Sequence, residues 1–267
     1  MRNRFLGLSA ATAAAVFAAW FAPMPAAGQG GGKGKAAAYK APRTADGTPD
    51  LQGIWEAHNT AAYNVEAHNA ATGIRAGKSF VADPADGMIP YTAPGRKKQQ
   101  ENFSRRGELD SVNACFMTGV PRFAYNHFPF QVFQTPKYIV MISEYVHMVR
   151  YIHMDRKDHL PGIDFWNGDS LGHWEGDTLV VDVADNNNET WFDASGNHHS
   201  DQLKVVERFT RTGPDTLMYE ATMTDPGTFT RPWTIRMNLQ RDTDPYAQLL
   251  EYECHSYVED DGRFPGR

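Results

Sequence analysis

The chain has 267 residues, two cysteines and a formal charge of −6, from 26 Lys and Arg against 32 Asp and Glu. The acidic balance argues against a nucleic-acid partner, which would want a basic face. The length allows one domain with a sizeable core after a leader is set aside.

Residues 1–28 read as a signal peptide. Arg2 and Arg4 form a positive start, Leu6 to Phe21 is a nearly uncharged apolar run, and Pro25-Ala26-Ala27-Gly28 supplies the small residues of a cleavage site. The run is short for a membrane anchor. No Cys near the cut would make a lipoprotein. The expectation is export to the periplasm or the medium, with no membrane attachment after cleavage and a mature charge of −8. Residues 29–47, rich in Gly, Ala and Lys, read as a flexible linker. Residues 48–260 form the expected single β-barrel domain, and 261–267 a tail. In an oxidising compartment Cys115 and Cys254 are expected to pair, the alternative being two free thiols.

Asp50-Leu51-Gln52-Gly53-Ile54-Trp55 places a Gly-x-Trp at the first strand. Residues 59–113 are polar and carry Pro84, Pro90 and Pro94. They read as irregular cover over one end of a sheet, with one short charged helix over 95–107. From Tyr138 onward apolar and polar residues alternate at period two, with turn residues between the runs. Strands are expected over 138–145, 148–154, 170–175, 178–183, 203–211, 216–224, 231–240 and 248–257. The Gly176-Asp177 step reads as a hairpin turn. In 231–240, Trp233, Ile235, Met237 and Leu239 share one face. In 203–211, Glu207 shares the apolar face of Leu203, Val205 and Phe209. A carboxylate there must find a partner or shift its pKa upward, and Arg150 and Arg231 are the candidates. The fold class is therefore all-β: an antiparallel barrel or strongly curved sheet with long irregular N-terminal loops.

The Gly-x-Trp opening followed by a strand meander resembles the start of lipocalin-like (calycin-type) barrels, where the Trp plugs the barrel floor and the Gly allows close packing. A second resemblance is broader. CFMTGVPR (115–122), FQVFQTP (130–136), EYVHMVRYIHMD (144–155), GDSLGHWEGDTLVVDV (168–183), HSDQLKVVERFTR (199–211) and TRPWTI (230–235) are similar to a large group of exported, mostly uncharacterised bacterial proteins from soil and water. That resemblance implies secretion and β architecture and brings no activity with it.

Three groups of residues could carry chemistry. Tyr145, His147, Arg150, Tyr151 and His153 are the densest. His147, Tyr151 and His153 share parity, His is a base near neutral pH, and Arg or Tyr can steady an oxyanion. The alternative is a polar outer strand face. Trp166, Asp169, His173, Trp174 and Glu175 form the second group, although Asp169 could simply make a turn. The third is the loop 185–201. There Trp191 could stack on a ring, with Asp193, His198 and His199 as polar contacts, or the loop could simply be solvated.

No recognised metal spacing, Gly-x-Ser-x-Gly, P-loop or dinucleotide motif occurs, so no metal and no cofactor are expected. The expected function is cofactor-independent proton-transfer chemistry (a lyase, hydratase or isomerase type) on a small, partly apolar or cyclic molecule in a barrel pocket. His147 or His153 would be the base, Arg150 and Tyr145 would stabilise charge, and Glu207 would be an acid or orienter. Trp166, Asp169, Trp191, His199 and Trp233 would contact substrate. The alternatives are a non-catalytic lipocalin-like binding protein for a hydrophobic molecule, and an envelope-interaction role without a pocket. The oligomeric state is open.

Overall fold

The computed structural model describes residues 39–71 and 74–254. The expected signal peptide, most of the expected linker and the expected tail lie outside them. Ten strands occur: β1 (Gly53–Glu56), β2 (Val81–Asp83), β3 (Phe130–Gln134), β4 (Tyr138–Ser143), β5 (Val149–His153), β6 (Asp169–Glu175), β7 (Thr178–Ala184), β8 (Lys204–Gly213), β9 (Thr216–Thr224) and β10 (Trp233–Arg241). The two short helices are α1 (Ala93–Ser104) and α2 (Arg106–Leu109).

The order β1-β3-β4-β5-β6-β7-β8-β9-β10 closes through β1 pairing with β10, giving a nine-stranded lipocalin-like barrel. Closure leaves no free edge among the nine barrel strands, and the three-residue β2 is added outside the ring on β10. β10 is long enough to serve two partners. Its end pairs with β1 at Arg241, and its beginning pairs with β2 at Thr234 and Ile235. All ladders are antiparallel except β5–β6, which is parallel and holds only the pairs Ile152↔Ser170 and His153↔Leu171. A parallel neighbour needs a crossover. Residues 154–168 supply it, running from one end of the wall to the other.

Period-two parity reads directly into burial. Trp233, Ile235, Met237 and Leu239 all point inward, as do Val205, Glu207 and Phe209. Trp55 is fully buried. Its Nε1 donates to Leu51 O at 2.8 Å, and the Arg211 guanidinium lies 5.8 Å from the ring centre. Gly53 is required beside it, because its φ is +130° and a Cβ would stand 2.8 Å from Arg241 Nε. With Phe130, Met141, Phe209, Tyr219 and Trp233 also inside, side chains fill the barrel.

Four expectations need correction. Residues 39–47, expected as part of the linker, pack on the domain: Ala41 is buried, Arg43 bridges Pro49, and its guanidinium pairs with Asp177. β4 and β5 do not run on through Tyr145 to His147. Val146 and His147 turn with φ of 45° and 51°. Of 248–257, residues 248–254 are irregular apart from a bridge between Tyr252 and Tyr145, and 255–257 lie outside the described residues. Phe130–Gln134 forms a strand that period-two alternation over five residues did not separate from its loop surroundings.

Loops at the end where β3, β6, β8 and β10 begin form a lid over the barrel. The lid consists of 57–71, 74–80, α1 and α2, 110–129, 185–203 and 225–232. Thr92 caps α1, its Oγ accepting from Gly95 N at 3.1 Å. Arg96 ties the helix to the loop by a two-pronged contact with Glu66 (3.1 and 2.9 Å). Cys115 and Cys254 are joined by a disulfide at the lid's margin, their Cα atoms 5.7 Å apart. Among the described residues, no helix is long and apolar enough to cross a membrane.

Candidate functional site

Glu207 and Arg150 meet inside the barrel. Arg150 Nη1 donates to Glu207 Oε1 at 3.2 Å, and Nη2 also contacts Oε2. Tyr219 Oη donates to the same Oε1 at 2.7 Å. Arg150 Nε and Nη2 reach Ser170 Oγ at 3.2 and 3.0 Å, bridging the short β5–β6 ladder. Both members of the ion pair are almost wholly enclosed. Burial, then the Glu207 charge, hold the Tyr219 hydroxyl far above the ordinary tyrosine pKa, so it stays a donor. Every polar atom of this group has a partner inside the protein, as a buried charge requires. Arg150 and Glu207 therefore brace the barrel rather than face a solute.

The other expected site residues separate. His147 stands exposed at the β4–β5 turn, near Glu253 at 4.0 Å. His153 lies on the outer face of β5, its ring edge-on to Tyr138 at 5.2 Å. Trp233 is fully enclosed against Phe192 and Phe229, each at 5.4 Å between ring centres. Trp191 and His199 are buried in the lid. His199 is spent on Thr190 Oγ (2.9 Å) and Ser200 O (2.8 Å), and burial depresses its pKa. These three pack the lid and are enclosed away from any solute.

Five expected residues do gather. Arg150, Tyr151, His153, Trp166 and Asp169 border a cleft of about 350 Å³ between the outer face of β5 and the crossover. Asp169 lies at its base. Burial alone would raise its pKa, but Arg156, the Leu160 N–H and His159 together pull it below the ordinary range. His159, Asp169 and Asp185 bring ligand-type atoms within 4.8 Å of one another. Asp169 Oδ2 already accepts from Arg156, His159 (3.1 Å) and Leu160 N (3.1 Å), so a cation there would have to displace a guanidinium.

The lid holds a second space. A cavity of about 330 Å³ is lined by Tyr63, Asp110, Arg122, Asn126, His127 and Tyr145, among others. It shares Tyr63, Asp110, Asn113 and Ala194 with a neighbouring cavity of about 580 Å³, bordered by Ala70, Ala71, Ile74 and Phe103. The first chamber is the more polar of the two, and the second is largely apolar.

The polar chamber is built around one ion pair. Asp110 accepts Arg122 Nη1 at 2.8 Å and Nη2 at 3.0 Å, while its Oδ1 also caps the following 3₁₀ turn at Val112 N (3.2 Å). Arg122 is 4% exposed and Asn126 3% exposed. Yet Arg122 Nε and Asn126 Nδ2 have no hydrogen-bond partner. Two buried donors left open beside a cavity are unusual, since nearly all buried polar groups are paired. His127 follows directly, packed on Tyr63 at 4.4 Å between ring centres and exposed to solvent. Partial desolvation, then the Arg122 charge, keep its pKa below the ordinary value, so the ring is a neutral base at pH 7. Tyr145 closes the far side, donating to Val112 O at 2.8 Å. Burial raises its pKa, so it stays protonated.

Behind the chamber lies Asp193, completely enclosed, accepting Val65 N and Ser195 N (both 2.9 Å) and Asn197 Nδ2 (2.7 Å). Burial outweighs these bonds and lifts its pKa to about 6.

Of this chamber only Tyr145 and the disulfide at its margin are marked by sequence. Arg122, Asn126 and His127 sit in an irregular stretch where no periodicity assigns a facing, and Asp110 meets Arg122 across the 3₁₀ turn Ser111–Ala114 that lies between them. Comparison with family models, curated proteins and solved structures found no match.

Proposed function

We propose that the protein is a cofactor-independent proton-transfer enzyme acting on a small, partly apolar carbonyl compound bound in the lid chamber. The observation carrying this reading is the pairing of unsatisfied buried donors on Arg122 and Asn126 with a neutral, partly exposed His127 in one cavity. In this scheme His127 removes a proton from the carbon next to the carbonyl. The developing oxyanion is held by the Asn126 amide and Arg122 Nε, donors fixed by the fold and unpaired within the protein. Asp110 holds the guanidinium in place. The apolar chamber takes the rest of the molecule. Elimination, hydration and isomerisation all begin or end with this step.

The test is hydrogen–deuterium exchange at substrate carbon. The mature protein is incubated in D₂O with a panel of small carbonyl compounds, and loss of the α-proton signal is followed by NMR. Catalysed exchange is expected with one or more compounds, reduced by about 10²-fold or more in His127→Gln, the usual scale for a general base. Exchange that survives His127→Gln overturns the mechanism. Compounds that bind the chamber without any exchange would instead support a carrier, the reading favoured by the apolar second chamber.

A further inference from the structure

The wall cleft between β5 and the crossover is separate from the lid chamber and has its own chemistry. Its sides are ring faces and apolar groups. Tyr151 stands out from β5 at 56% exposure, and Trp166 lies flat on Phe116, 5.0 Å between centres with the planes 1° apart. Leu160 and Met117 complete the apolar wall. At the base, Asn167 is 7% exposed, and its Oδ1 has no partner, while Nδ2 contacts Met117 Sδ at 3.6 Å. Gly168 fixes this base. Its φ is +63°, and a Cβ would stand 2.5 Å from Val183 Cγ1 and 2.7 Å from Asn186 Oδ1.

The charge balance narrows the ligand. Arg150 borders the cleft, but its guanidinium turns into the barrel and is engaged by Glu207, while Arg156 is engaged by Asp169. An anion therefore finds no open cation among the described lining residues. An ammonium would need an enclosed, open carboxylate, but Asp169 already holds Arg156 and Asp164 is solvent-exposed. Among the buried lining atoms, the one without a partner is a neutral acceptor, Asn167 Oδ1, in a cleft that Tyr151 and Trp166 also line. That combination fits a neutral ring carrying hydroxyl donors. The C–H face of the ring lies on the aromatics and a hydroxyl donates to Asn167. The cavity's 350 Å³ is at the small end of ligand sites.

We infer that the wall cleft is a binding site for a neutral glycosyl ring, one sugar unit deep, independent of the chemistry in the lid chamber. The experiment is a ¹H–¹⁵N NMR titration of the mature protein with methyl β-glucoside, N-acetylglucosamine and cellobiose, with glucuronate and choline alongside. At least one neutral sugar is expected to saturate in the millimolar range, moving amides of 149–153 and 164–169. Tyr151→Ala, an exposed position that leaves the fold intact, and Asn167→Ala should each weaken that sugar by about tenfold, the scale of one lost stacking or hydrogen-bond contact. His127→Gln should bind it as wild type. No saturation by any neutral sugar, tighter binding of choline or glucuronate, or binding unchanged in both cleft variants would overturn the assignment.

Discussion

Replacing Glu207 with Gln tests whether the barrel's internal ion pair is structural. The side chain is fully enclosed, and its two oxygens take Arg150 Nη1, Arg150 Nη2 and the Tyr219 hydroxyl. Gln keeps the shape but offers one acceptor oxygen and adds an amide N–H that must face Arg150 or Tyr219, both donors. The Arg150 charge then stays buried without a counter-charge. Breaking one side of a buried pair costs about 3–5 kcal/mol. For a domain of this size that corresponds to a Tm lower by roughly 6–20 °C. Removing the whole group, as Arg150→Met/Glu207→Leu/Tyr219→Phe, deletes the charges and the donor together. That variant should unfold within about 2 kcal/mol of wild type, because apolar replacement of a complete buried pair is often neutral. Urea unfolding followed by tryptophan fluorescence reads both. A loss below about 1 kcal/mol in Glu207→Gln would refute the reasoning. If that variant kept its stability but lost carbon-proton exchange, Glu207 would return to a chemical role.

Asp193 gives a pH signature. Its folded pKa of about 6 exceeds the ordinary 3.8, so the native state holds the proton more tightly than the unfolded chain. The contribution of Asp193 is therefore neutral below about pH 4 and increasingly unfavourable up to pH 6. The stability of wild type minus that of Asp193→Asn should fall by roughly 3 kcal/mol across that window in denaturant titrations. A flat difference would contradict the burial argument. The Cys115–Cys254 bond closes a loop with a sequence separation of 139, worth about 5 kcal/mol in the chain-entropy model. Cys115→Ser/Cys254→Ser should unfold at lower urea by that order, and an unchanged midpoint would show that the lid holds without it.

The barrel was legible because strand physics is local. Alternation in 203–211 and 231–240 put Glu207 and Trp233 inside before any contact was known, and Glu207 finds one of the two arginines expected for it. Cys115 and Cys254 were legible because two cysteines in a chain that reads as exported have one natural pairing. Parity failed where backbone geometry broke the count. The positive φ at Val146 and His147 turns the chain, so His147 cannot share a face with His153. It also failed for function, since the face holding Tyr151 and His153 is the outer one while Arg150 points in. The lid was illegible for a different reason. Asp110 meets Arg122, and Glu66 meets Arg96, through turns whose shape depends on what they pack against. Neither repeat nor motif announces such pairs, and the chamber with the open Arg122 and Asn126 donors is built entirely from them.

The account rests on that chamber, and the most direct test is where a reactive ligand sits. Amide and His-ring chemical shifts should be recorded for the mature protein with whichever carbonyl compound shows α-proton exchange. Perturbations centred on Tyr63, Asn126, His127 and Tyr145, lost in Asn126→Ala, are the predicted result. Perturbations confined to the β5 wall, or centred on the interior around Arg150 and Glu207, would contradict it.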